Sequence, residues 1–70
     1  MKQAVGALVV DTRNDRLGRV MGRTGPYLQL RPPGGGREWD ADPAHVRPAN
    51  EAERRRASVA EGSLVKRVPS

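Results

Sequence analysis

Apolar residues along this chain fall in short runs broken by turn-forming residues, a pattern that fits strands better than long helices. The first run, Val5, Ala7, Leu8, Val9 and Val10, is rich in β-favouring side chains and predicts a strand over residues 3–10. It is apolar on both faces near its end, so a strand covered on both sides is expected. Asp11-Thr12-Arg13-Asn14-Asp15 follows as a loop, because Asp and Asn side chains bond nearby backbone and tolerate turn geometry. Leu17-Gly18-Arg19-Val20-Met21-Gly22 predicts the second strand. Its apolar spacing from Leu17 to Val20 breaks a period of two, and a bulge at Gly18 would restore both side chains to one face. Gly25-Pro26 turns the chain, and residues 27–31 alternate cleanly, with Leu28 and Leu30 opposite Tyr27, Gln29 and Arg31.

Pro32-Pro33-Gly34-Gly35-Gly36 reads as a loop in which prolines stop the strand and glycines permit positive φ. A glycine run can cradle phosphate only with a helix N-terminus behind it, and no helical pattern follows. Residues 37–41 alternate as a fourth strand, with Trp39 and Ala41 facing away from Glu38 and Asp40. Asp42-Pro43-Ala44-His45 predicts one tight helical turn, capped by Asp42 and with Pro43 in its first position. Val46-Arg47-Pro48 is a very short last strand.

The composition changes at Asn50. Asn50 and Glu53 match a capping box, and Gly62 is a stop signal, so a helix over residues 51–61 is expected. Its only apolar residues are Val59 and alanines, and it is too short to be stable alone. A flexible or partly helical basic tail over residues 50–70 is the expectation, with residues 63–68 a weaker candidate for an added edge strand.

These elements describe an all-β domain over residues 3–49, with four to five short strands and one single-turn or 3-10 helix. Val5-Gly6-Ala7-Leu8-Val9-Val10-Asp11, then Arg16-Leu17-Gly18-Arg19-Val20, resembles the opening of SH3-like small barrels of the KOW and PRC types. The run from Glu38 to Pro48 resembles the helical turn and last strand of the same barrels. The KOW resemblance implies RNA or the transcription machinery as partner. The PRC resemblance implies RNA-processing or photosynthetic protein partners. SH3-like barrels bind peptides, proteins or nucleic acids, so the fold alone does not choose.

Seventy residues allow one domain. A chain this short is marginal as a globule, and with no Cys it has no disulfide or thiolate–zinc site to staple it. Self-association or a partner would add stability. Lys2 and Lys66 are the only lysines among thirteen basic residues, a bias shared with proteins of high-GC bacteria, actinobacteria among them. The net charge of +5 favours polyanions or acidic protein surfaces. No apolar run reaches the ~20 residues of a membrane span, and a cytoplasmic protein is expected.

His45, the single histidine, has Asp42 three residues before it but no nucleophile beside it. Asp11, Asp15, Asp40 and Asp42 match no cation-loop spacing. No catalytic residue, metal or cofactor is expected, and the chain reads as a non-enzyme. The candidate contact residues are basic: Arg19, Arg23, Arg31 and Arg37 on neighbouring strands and turns, with Tyr27 as a stacking group, and the Arg54-Arg55-Arg56 cluster. Arg55-Arg56-Ala57-Ser58 resembles a site for basic-directed kinases, making Ser58 a candidate phosphorylation site. The expected function is a regulatory interaction module that binds a protein partner or its own copy. Weak electrostatic binding of RNA or DNA is the alternative.

Overall fold

The computed structural model describes residues 4–65, with side chains through residue 62. Five antiparallel strands form one sheet in the order β4-β3-β2-β1-β5. They are β1 (Leu8–Asp11), β2 (Arg16–Thr24), β3 (Tyr27–Arg31), β4 (Trp39–Ala41) and β5 (Val46–Pro48). A 3-10 turn, Pro43–His45, links the last two, and helix α1 (Glu51–Val65) follows. No ladder joins β4 to β5 among the described residues, so the sheet is open and not the closed barrel expected.

One face of the sheet carries the core. Val9, Val20, Leu28, Leu30 and Ala41 are buried together, with Ala7, Trp39 and Val46 packed against them. Gly18 belongs to this face. A Cβ there would lie 2.8 Å from Trp39 Cη2 and 3.0 Å from Leu30 Cβ, so glycine is what lets the indole approach β2 this closely. The bulge expected at Gly18 is absent. The β1–β2 ladder runs unbroken through Val9↔Gly18 and leaves Leu17 and Val20 on opposite faces. The irregularity lies further on, between Val20 and Gly22, where Met21 is the extra residue.

The local chemistry of the turns is as expected. Gly25 takes φ 59°, and Thr24 pairs with Tyr27 across the two-residue turn. Asp42 accepts the Ala44 N–H at 2.9 Å and caps the 3-10 turn. Asp11, expected in the loop, instead closes β1 and is buried at 2% exposure. Its Oδ1 accepts the Arg13 and Asn14 N–H groups, while its Oδ2 accepts from Asn14 Nδ2 and Trp39 Nε1. β1 itself is shorter than expected, because Gly6 at φ 93° turns the chain before Leu8. β4 is shorter too and excludes Arg37 and Glu38.

α1 is a docked helix, running past the expected stop at Gly62 to Val65. Residues 63–65 are therefore helical, not an edge strand, and residues 66–68 lie outside the described part. Its start is the expected capping box. Glu53 N–H donates to Asn50 Oδ1 at 2.8 Å and Asn50 N–H to Glu53 Oε1 at 2.9 Å. No helix among the described residues is long and apolar enough to cross a membrane.

Candidate functional site

Arg19, Arg31 and Arg47 on the sheet pair with carboxylates, while Arg23, Arg37 and the arginines of α1 are exposed. On the sheet, Arg19 stands directly opposite Arg31 across β2 and β3, so the two share a face as expected. Neither is free. Arg19 Nε and Nη2 donate to the two carboxylate oxygens of Glu61 at 2.7 and 2.8 Å, and Nη1 donates to Gly6 O at 2.6 Å. The Glu61 hydrogen bonds push the Arg19 pKa above its ordinary value. Arg31 pairs with Glu38 at 3.1 Å.

The Met21 irregularity then removes Arg23 from this face. After it, Arg23 stands opposite Leu28, on the parity of the core, while Gly22 stands opposite Gln29. Arg37 is exposed in the loop before β4. Tyr27 keeps the parity of Gln29 and Arg31 and is 45% exposed. The other aromatic is committed elsewhere: Trp39 packs on the core, donates to Asp11 and carries the Arg16 guanidinium 3.8 Å from its ring centroid. The sheet thus offers one aromatic beside two neutralised arginines, a poor platform for stacked bases.

α1 docks on the sheet although, among its side chains described through residue 62, Val59 is the one large apolar residue and it is exposed. Glu53, Ala57 and Glu61 recur every four residues and so form one stripe along the helix. Ala57 at its centre is buried at 1% exposure. At one end Glu53 receives Arg47 Nη1 and Nη2 at 2.9 and 2.8 Å, and at the other Glu61 receives Arg19. The Arg47 hydrogen bonds, with the Asn50 N–H, hold the Glu53 carboxyl down at about 2.

The two arginines flank β1. Arg47 of β5 is opposite Val10, and Arg19 of β2 is opposite Leu8. Two strands across and two residues along make a diagonal of about 12 Å. Eight residues of helix rise by about 12 Å. The carboxylates of α1 are therefore spaced to meet both guanidiniums at once, over a sheet face made of Leu8, Val10 and Leu17. This stripe escapes a reading based on apolar periodicity. Its signal is the four-residue spacing of Glu53, Ala57 and Glu61 along the helix.

Docking by the acidic stripe turns the rest of α1 outward. Arg55 and Val59, one turn apart, sit in the middle of the solvent face, with Arg54 and Arg56 on its two flanks. Val59 is 70% exposed. Arg55 has only a loose pairing with Glu51 at 3.7 Å. Ser58 is exposed and shares a shallow depression with Glu51, Arg54 and Arg55.

His45 is exposed, and its backbone carbonyl accepts the Thr12 N–H and hydroxyl, both at 2.8 Å. Among the described residues no three His, Cys, Asp or Glu side chains gather as metal ligands. The chain matches no family model, no curated protein and no solved structure.

Proposed function

We propose that the protein is a non-catalytic, SH3-like interaction module that presents the solvent face of α1 to an acidic protein segment. The observation that carries this reading is the docking of α1 by Glu53, Ala57 and Glu61, which turns Arg54, Arg55 and Arg56 to solvent and sets Arg55 and Arg56 beside the exposed Val59. Guanidiniums flanking an exposed apolar side chain suit carboxylates displayed beside an apolar side chain. The strand order, with a 3-10 turn between β4 and β5, supports the SH3-like assignment.

The same features favour a protein over a nucleic acid. The sheet arginines Arg19 and Arg31 already hold carboxylates, and Trp39 is held against the core. What remains for a polyanion is the charge of the outer arginines with Tyr27 as the single exposed aromatic among the described residues.

Fluorescence anisotropy with a labelled 16-residue peptide of Glu, Leu and Ala, against 20-nucleotide single-stranded RNA and DNA, tests this reading. The peptide binds the full chain, and the triple variant R54A/R55A/R56A loses at least tenfold in affinity. V59D weakens the peptide as well. Oligonucleotides bound tightly at physiological salt, with the peptide inert, would replace this reading by nucleic-acid binding.

A further inference from the structure

α1 is attached to the sheet in an unusual way for a helix. Among its described side chains only Ala57 is fully buried, while Glu53, Ala60 and Glu61 are half-buried at the interface. Helices that cover sheets ordinarily do so with a broad apolar stripe. Here two fork-to-fork carboxylate–guanidinium pairs take that place, at 2.7–2.8 Å on Arg19 and 2.8–2.9 Å on Arg47. Both pairs have solvent access on the arginine side, at 35% and 46% side-chain exposure, so competing carboxylates can reach them.

The sheet presents a face that matches the stripe on α1. Its two poles, Arg19 and Arg47, are set about 12 Å apart on either side of β1, with Leu8, Val10 and Leu17 sharing that face. What it accepts is shown by what occupies it: a helix carrying Glu, three residues, Ala, three residues, Glu. The small central residue is buried, and the two carboxylates on either side of it reach the two guanidiniums.

We propose that this Arg19–Arg47 face is a dock for an acidic helix of a protein partner, and that α1 is its exchangeable, built-in occupant. The partner helix carries the same Glu-x3-Ala-x3-Glu pattern. The inference rests on the reading of the protein as an acidic-partner module and deepens it. Arg54, Arg55 and Arg56 on the outer face attract the acidic segment, and the dock then exchanges Glu53 and Glu61 for the partner's carboxylates. Tethering through Ala49 and Asn50 gives α1 a high effective concentration, so exchange requires a partner with better contacts or a weakened α1.

The test uses the full chain, labelled with 15N, and a synthetic peptide with the sequence of residues 50–65. Against the E53Q/E61Q chain, whose own helix is weakened, the peptide shifts the amides of Leu8, Val10, Leu17, Arg19 and Arg47. It binds at least tenfold more tightly than to the wild-type chain, and a peptide with both glutamates changed to Gln binds at least tenfold more weakly. Equal binding of the two peptides, or shifts confined to other strands, overturns the dock. If E53Q/E61Q fails to fold, the R19E chain is titrated with a peptide carrying Glu61→Arg. Recovery of binding over the unaltered peptide supports the dock, and no recovery overturns it. The R54A/R55A/R56A chain separates the two ideas: it abolishes capture of the Glu/Leu/Ala peptide while α1 still occupies the Arg19–Arg47 face, seen as unchanged amide shifts there. Retained capture with an intact dock signature would sink the outer-face reading alone.

Discussion

Trp39 donates its indole N–H to Asp11 Oδ2 at 2.9 Å, tying the end of β1 to the start of β4. These strands are not neighbours in the sheet, with β2 and β3 lying between them. Asp11 is the only buried charged residue among those described, and its carboxylate joins two parts of the fold: it accepts from Trp39 on one side and, on the other, from the Asn14 side chain and the N–H groups of Arg13 and Asn14. Replacing Asp11 by Ala leaves the indole N–H without a partner and releases the 12–15 loop. A loss of about 1–3 kcal/mol is expected, read from the urea midpoint at constant slope. A midpoint unchanged from wild type would mean that water serves these donors equally well.

The Asp11 carboxyl also sets an acid limit. Burial pushes its pKa up, but the four hydrogen bonds, led by Trp39, outweigh that and hold it below the ordinary 3.8. Glu53 is held from an ordinary 4.5 down to about 2, by the Arg47 hydrogen bonds first and then the Asn50 N–H. For a carboxyl depressed in the folded state, the stabilisation is complete above its unfolded pKa and lost as pH falls through the folded value. The contribution of Glu53 is therefore full above pH 4.5 and vanishes towards pH 2. Helical circular dichroism followed from pH 6 to pH 2 declines over this window in the wild type. The E53Q chain starts lower and declines less. Parallel curves for the two proteins would remove Glu53 from the account.

Much of the secondary structure is legible from local signals, because those signals act within a few residues. The alternation of residues 27–31, the Asp42–Pro43 turn and the Asn50–Glu53 capping box each need no distant partner, and each is found where expected. The features that local signals miss are tertiary. Gly18 resembles a bulge because its neighbours break a period of two, yet the glycine answers to an indole far along the chain. Alternation places Arg19 and Arg31 on one face, but Glu61, which takes Arg19 out of any basic patch, lies 42 residues away. The ordering of α1 is hidden for the same reason. Apolar content is the usual measure of docking, and this helix docks through carboxylates whose partners lie on β2 and β5.

The Gly18 contact separates two explanations of a strand glycine. An alanine at Gly18 places its Cβ 2.8 Å from Trp39 Cη2, so the ring must tilt away from β2 and strain its bond to Asp11. A loss of about 1–3 kcal/mol is expected from this overpacking. At Gly22, on the same strand, a Cβ would meet nothing within 4 Å, and G22A changes stability by no more than about 0.5 kcal/mol. Thermal melts of the two single variants decide the matter. Equal effects would show that contact with the indole does not select glycine at Gly18.

Salt distinguishes the ionic docking of α1 from apolar packing of the core. The Arg19–Glu61 and Arg47–Glu53 pairs have partly exposed guanidiniums, so added salt screens them, while the Val9–Val20–Leu28–Leu30 cluster is insensitive to moderate ionic strength. Hydrogen exchange of α1 amides is expected to accelerate severalfold between 20 mM and 500 mM NaCl, with β2 and β3 amides unchanged. E61Q at low salt should reproduce the α1 effect and show little further response to salt. Should α1 and the central strands respond together, the helix would be part of one cooperative unit with the sheet, and the exchange of α1 for a partner helix would require opening the whole fold. Separate responses keep α1 as the element that can leave while the sheet, with Arg19 and Arg47 in place, remains folded to receive its replacement.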